Sequence, residues 1–222
     1  MDYGYYNMDC LQGMKEFPDK YFDLAIVDPP YGIGEGGEKN KTRGKLAKSK
    51  DYSNFAGQDL EPPSQEYFEE LFRVSKNQII FGANHFISRI PIDSHCWIVW
   101  NKKNGNTDFA DCELAWTSFN SAVRLFEYRW QGFLQENMKN KEFRIHPTQK
   151  PIDLYLWILN TYAKEGDTIL DTHVGSASSL IACHRTRHKY VGFELDPFYY
   201  EKSKARLEAE TAQYNIFDYM QQ

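Results

Sequence analysis

Residues 168–197 read TILDTHVGSASSLIACHRTRHKYVGFELDP, and the reading of this stretch decides the architecture of the chain. Thr168 to Asp171 is a short, largely apolar and β-branched run, the pattern of a buried strand. Small residues follow in THVGSAS, where Gly175, lacking a Cβ, lets the backbone approach a ligand closely. SLIACHRTR reads as a helix, and KYVGFELDP as a second strand that ends in Glu194. Strand, helix and strand in this order build a parallel βαβ unit. Glu194 stands roughly 20 residues beyond the turn, the spacing of a ribose-binding acid. The three-glycine phosphate cradle is missing, because Ser176, Ala177 and Ser178 follow Gly175. A nucleoside without phosphates therefore suits the turn better than a dinucleotide does. An ordinary strand-to-helix turn is the plain alternative.

The same alternation extends outward in both directions. PIDLYLWILNTYAK, 151–164, is an amphipathic helix with Pro151 at its first position and Gly166 past its end. A charged helix runs from about Pro197 to Thr211. Near the N-terminus a strand around Tyr6–Cys10, a helix around Leu11–Phe17 and the strand Leu24–Val27 follow one another. A helix over Ser64–Val74 is capped by Ser64, with Glu66 in its first turn. QIIFGA, CWIVW, CELAWTS and AVRLFEYRW, rich in aromatic and β-branched residues, read as further strands. The pattern specifies an α/β fold, a mostly parallel twisted sheet with helices on both faces and antiparallel strands at one edge. Its 222 residues suit one domain.

LAIVDPPY, 24–31, ends a buried strand abruptly. Each proline removes a backbone donor and biases its predecessor toward extended geometry. A patch of acceptors remains, the Asp28 carboxylate and the carbonyls of Asp28, Pro29 and Pro30, with the flat ring of Tyr31 beside it. Such a patch suits a planar group that carries an NH2. A strand-terminating turn is the commoner reading of Asp-Pro-Pro alone.

Two further stretches add to the ligand side. HPTQKP, 146–151, puts Thr148, Gln149 and Lys150 just before a helix whose N-terminus favours an anion such as a carboxylate. Asp9 ends the first strand and could accept a hydrogen bond from an adenine amino group, although a strand-end Asp is more often a cap.

The net charge of −5 argues against a chain that is basic overall, so any nucleic-acid contact has to be local. KNKTRGKLAKSK, inside the loop 32–62, supplies Lys39, Lys41, Arg43, Lys45, Lys48 and Lys50 directly after Tyr31. Arg124, Arg129, Lys139, Lys141 and Arg144 could extend that surface. The four cysteines are scattered without metal-ligand spacing and read as reduced and structural, so no metal is expected. The N-terminal residues lack the features of a secretory signal, and no apolar run approaches membrane length. A cytoplasmic protein is expected.

In order along the chain, NMDCLQGMKEFPDKYFDLAIVDPPYG, HPTQKP, DTHVGSAS and GFELDP together resemble the permuted S-adenosylmethionine-dependent DNA amino-methyltransferases of the β group. The match is specific at 7–31 and 146–197. The resemblance implies a seven-stranded Rossmann-like methyltransferase fold, with a catalytic half over about 1–118 and a cofactor half over about 146–222. Between them lies only a small variable segment, about 119–145, where many relatives carry a target-recognition domain. It implies Asp28, Pro29, Pro30 and Tyr31 as the catalytic motif and S-adenosylmethionine as the cofactor. Asp171, His173, Gly175, Ser176 and Glu194 would then surround the cofactor, Asp9 and Cys10 would face its adenine, and Thr148 to Lys150 its methionine end. Double-stranded DNA with a flipped-out base is the implied substrate, in a restriction–modification setting, with a homodimer as a further expectation. Thr172, His173 and Ala177 depart from the family, which usually has Asp-Pro-Phe or Asp-Pro-Ala there and a second glycine. Asp at the first motif position resembles the adenine-N6 enzymes more than the cytosine-N4 ones. Cytosine-N4, RNA or protein-amide methylation, and a silent DNA-binding subunit stay open as alternatives.

Overall fold

The computed structural model describes residues 1–34, 59–105, 110–131 and 134–220, with the side chains of 213–220 excluded. The basic run from Lys39 to Lys50, proposed above as a DNA contact, lies outside the described residues.

The strands are β1 (Gly4–Asn7), β2 (Phe22–Val27), β3 (Ser75–Phe81), β4 (Trp97–Asn101), β5 (Cys112–Thr117), β6 (Arg124–Glu127), β7 (Trp130–Gln131), β8 (Leu134–Gln135), β9 (Thr168–Asp171) and β10 (Lys189–Glu194). The helices are α1 (Cys10–Lys15), α2 (Gln65–Val74), α3 (Ile152–Tyr162), α4 (Ser178–Arg185) and α5 (Pro197–Met220). Eight strands form one sheet in the order β1-β10-β9-β2-β3-β5-β4-β6, and β7 and β8 pair separately. The neighbours from β1 to β3 are parallel, while β5 runs antiparallel to both β3 and β4.

Alternation along the central strands explains the layers. On β2, Leu24 and Ile26 face the core built with α3 and α4, whereas Ala25 and Val27 face the core built with α1 and α2. On β3, Ile79 and Phe81 join the first core and Ile80 the second. Helices therefore cover both faces, as the alternating pattern requires. Among the described residues no helix is long and apolar enough to cross a membrane.

Three local expectations need correction. The first strand ends at Asn7 rather than near Cys10, because Asp9 caps α1 by accepting the Gln12 N–H at 2.9 Å. Pro151 precedes α3 in extended geometry instead of occupying its first turn, and the Glu142 carboxylate takes the Ile152 N–H at 2.9 Å. The sheet has eight strands where the resemblance implied seven. The extra one, β6, comes from the segment set aside for recognition, and it pairs with the open edge of β4. Glu142 of that segment is also held by Arg206 of α5 at 2.7 Å, so these residues are built into the main body.

Candidate active site

The carboxyl ends of β1, β10, β9, β2 and β3 share one edge of the sheet, and antiparallel β5 brings its first residues to that same edge. From β2 the chain continues outward to β3, and from β9 it continues outward to β10. The crevice between β2 and β9 is thus a topological switch point, where open α/β sheets bind ligands. Asp28 stands one residue past β2 and Asp171 closes β9, so two acids flank the crevice.

The turn after β2 is pinned from afar. Asp59 accepts the Tyr31 N–H at 2.6 Å and the Gly32 N–H at 2.9 Å. The Tyr31 ring lies on Gly82, where an added Cβ would meet the ring at 2.1 Å, and it stacks on His85 at 5.2 Å. Gly82 also holds φ +66°, which disfavours any side chain. Gly82→Ala is expected to lower stability by about 1–3 kcal/mol, as read by denaturant unfolding; an unchanged midpoint would contradict this packing.

Asp28 sits in a partly buried charge cluster around the buried Lys150. Its Oδ1 accepts the Tyr31 hydroxyl at 2.7 Å, and its Oδ2 accepts Lys150 Nζ at 2.5 Å. Burial raises the Asp28 carboxyl above its ordinary range, Lys150 pulls it back, and Glu113 adds to the rise. Burial opposes charge on Lys150 too, but Asp28 and Glu113 outweigh it and keep the ammonium protonated. The expectation for Lys150 therefore changes: its ammonium engages the Asp28 carboxylate, not an open anion site ahead of α3. Gln149 is likewise committed elsewhere. Its amide accepts the Ile145 N–H at 2.9 Å and donates to the Phe143 carbonyl at 3.4 Å, so it fastens the preceding loop.

Asp171, His173, Gly175, Ser176 and Glu194 stand at or just past the ends of β9 and β10, Asp9 and Cys10 follow β1, and Thr148 lies in the loop before α3. Glu194 accepts the Gly175 N–H at 2.8 Å and the Asp196 N–H at 2.9 Å. Burial raises its carboxyl, and these two donors oppose the rise. The Ser176 hydroxyl lies 3.1 Å from that of Ser178, and the Thr148 hydroxyl lies 3.0 Å from His146 Nδ1. Ala177 adopts φ +63°, so it keeps a glycine-like backbone at the start of α4 despite its Cβ. His173 links to the Thr172 hydroxyl at 2.9 Å and approaches Cys10 Sγ at 3.9 Å, while Tyr67 closes the chain on Thr172 at 2.7 Å. Burial keeps His173 neutral, with a pKa of about 4, and pushes the Cys10 thiol up to about 12.

Asp171 accepts the His173 N–H at 3.0 Å and the Ser179 hydroxyl. Burial still pushes its carboxyl up to about 7. A raised folded-state pKa means stability that is present at low pH and lost as pH rises toward that value. Relative to wild type, Asp171→Asn should therefore gain in thermal midpoint from about pH 4 to pH 7. Parallel midpoint curves for the two proteins would contradict this.

Glu113, Lys102, Asp59, Tyr67 and His85 carry no motif and were not expected at the site. An acid inside the apolar run CELAWTS is the one local signal that could have exposed Glu113. Trp100 is buried, with its indole N–H on the Tyr128 carbonyl at 3.0 Å, a packing role.

The N6_N4_Mtase family model, described as DNA methylase, matches residues 75–205. The chain belongs to this family of DNA methylases. The type II methyltransferase M.HpaI of Haemophilus parainfluenzae is 28% identical over 95% of this methylase and 74% of its own length. Solved structures agree on the fold. TTHA0409 of Thermus thermophilus, complexed with S-adenosyl-L-methionine, matches 93% of this methylase and 95% of its own chain, at 20% identity and TM-score 0.58. The cytosine-N4-specific PvuII DNA methyltransferase matches 97% of this methylase and 92% of its own chain, at 14% identity and TM-score 0.60. The Rossmann-like methyltransferase fold is thereby established.

Proposed function

We propose that this DNA methylase is a site-specific adenine-N6 methyltransferase, using S-adenosylmethionine and acting on an adenine turned out of the duplex. The observation that carries the reading is the juxtaposition of Asp28-Pro29-Pro30-Tyr31 with the residues at the carboxyl ends of β9 and β10, across the β2–β9 crevice. The crevice residues fit the cofactor chemically. Asp171 and Glu194 are acids, Ser176 and Thr148 offer hydroxyls, and Lys150 is already paired with Asp28. Such a set suits a cationic, phosphate-free nucleoside better than a nucleotide. Glu194 would hold the ribose hydroxyls, and Asp9, Cys10 and His173 would flank the adenine. Thr148 and Ser176 would approach the amino-acid end.

When bound, the cofactor supplies a methyl group activated on a positive sulfonium. An adenine amine is a weak nucleophile because its lone pair is delocalised into the ring. Asp28 and a proline carbonyl accept its two N–H bonds, so the nitrogen can pyramidalise with its lone pair free. Positioning and electrostatics suffice, and no covalent intermediate on the enzyme is needed. Pro29 and Pro30 matter because neither carries an N–H to repel the amine. Tyr31 offers its ring to the extruded base, and extrusion is required because the amine is not accessible for this chemistry inside the helix. The raised Asp28 carboxyl also suits it to take the proton that the methylated amine sheds.

Nucleoside analysis of duplex DNA incubated with the protein and cofactor tests the reading. N6-methyladenine within one short recurring sequence is the expected product. N4-methylcytosine would replace the adenine assignment. Unmodified DNA with intact cofactor binding would mean a silent DNA-binding subunit.

A further inference from the structure

Glu113 belongs to no motif, yet it completes the partly buried charge cluster beside Asp28. It lies near the start of β5, opposite Trp100 of β4. Lys102 binds Glu113 Oε1 from one side. On the other, Lys150 Nζ stands 3.1 Å from Glu113 Oε2 while it donates to Asp28 Oδ2. The ammonium therefore sits between two carboxylates. Around it are the Phe81 ring at 4.9 Å and the Tyr31 ring at 5.7 Å.

We propose that Glu113 is a second seat for the Lys150 ammonium, which moves from Asp28 to Glu113 when the target amine arrives. The proposal rests on the reading of Asp28 as the acceptor of that amine. As the cluster stands, both Asp28 oxygens are engaged, one by Tyr31 and one by Lys150. The amine also becomes positive as it takes the methyl group. An ammonium left on Asp28 would cancel the field that stabilises this charge. Lys150 cannot simply let go, because an unpaired charge in a buried site is strongly unfavourable. Glu113 gives it a partner within reach of the same rotamer-rich side chain. Two cations and two carboxylates keep the cluster neutral in either arrangement. Glu113 acts through Lys150 and is a positioning residue.

Glu113→Gln should trap the ammonium on Asp28 and lower kcat about tenfold or more, with cofactor affinity unchanged. Adding Lys150→Met removes the trapped cation. Assayed near about pH 9, where a buried carboxyl without a counter-ion still ionises, the double variant should be several-fold more active than Glu113→Gln. A purely structural Glu113 predicts no such recovery, and that result would overturn the proposal. Wild-type transfer to DNA is measured first, since its absence would overturn the reading of Asp28 itself. If Glu113→Gln does not fold, a crystal structure of the wild type with an adenine-containing oligonucleotide decides. Lys150 Nζ is expected on Glu113 and off Asp28, and an ammonium still on Asp28 would contradict the proposal.

Discussion

Asp28→Ala is expected to abolish methyl transfer while S-adenosylmethionine binds with near wild-type affinity. Asp28 is assigned to the target amine, and the proposed cofactor residues lie one and two strands away at the ends of β9 and β10. Losing a preorganised acceptor aimed at developing charge should cost on the order of a hundredfold or more in kcat. The fold should survive, because Lys150 keeps Glu113 within 3.1 Å as an alternative partner. Single-turnover kinetics and calorimetric titration read the two effects separately. Full turnover, or a loss confined to cofactor binding, would overturn the assignment.

Glu194→Ala carries the second large effect. A carboxylate that accepts ribose hydroxyls is worth about 1.5–3 kcal/mol for each charged hydrogen bond. Affinity for S-adenosylmethionine should therefore fall roughly tenfold or more. Glu194 also anchors the Gly175 turn at 2.8 Å, so the variant is compared with Glu194→Gln for local loosening. Unchanged titration curves in both variants would place the cofactor site elsewhere.

The strand-end residues were legible in the sequence because their signal is local. Leu24 to Val27 stops at two prolines, and Thr168 to Asp171 stops at a small-residue turn, so each acid is marked by the strand it ends. The doubly covered sheet followed from the alternation of short apolar runs with helical ones. The partners of those acids were not legible. Lys150 meets Asp28 across 122 residues of chain, and nothing near HPTQKP says that its ammonium turns to the catalytic strand. Gln149 reads as a ligand residue beside a helix start, but its amide is spent on the 143–145 loop and its carbonyl accepts the distant Trp130 indole N–H at 2.6 Å. Asp59 lies at the far end of the 32–62 loop, and only folding brings it under Tyr31. AVRLFEYRW read as a strand, but neither its place in the main sheet nor its parallel pairing was legible, because it falls in the segment set apart as variable. The open edge of β4 decides the matter.

In the proposed arrangement, one sheet edge holds the cofactor at the ends of β9 and β10 and presents it to Asp28 across the β2–β9 crevice. A crystal structure with S-adenosylhomocysteine decides the arrangement. Ribose hydroxyls are expected on Glu194, the adenine beside Asp9 and His173, and the sulfur directed toward Asp28. A ligand bound away from this edge, or with its sulfur facing away from Asp28, would contradict it.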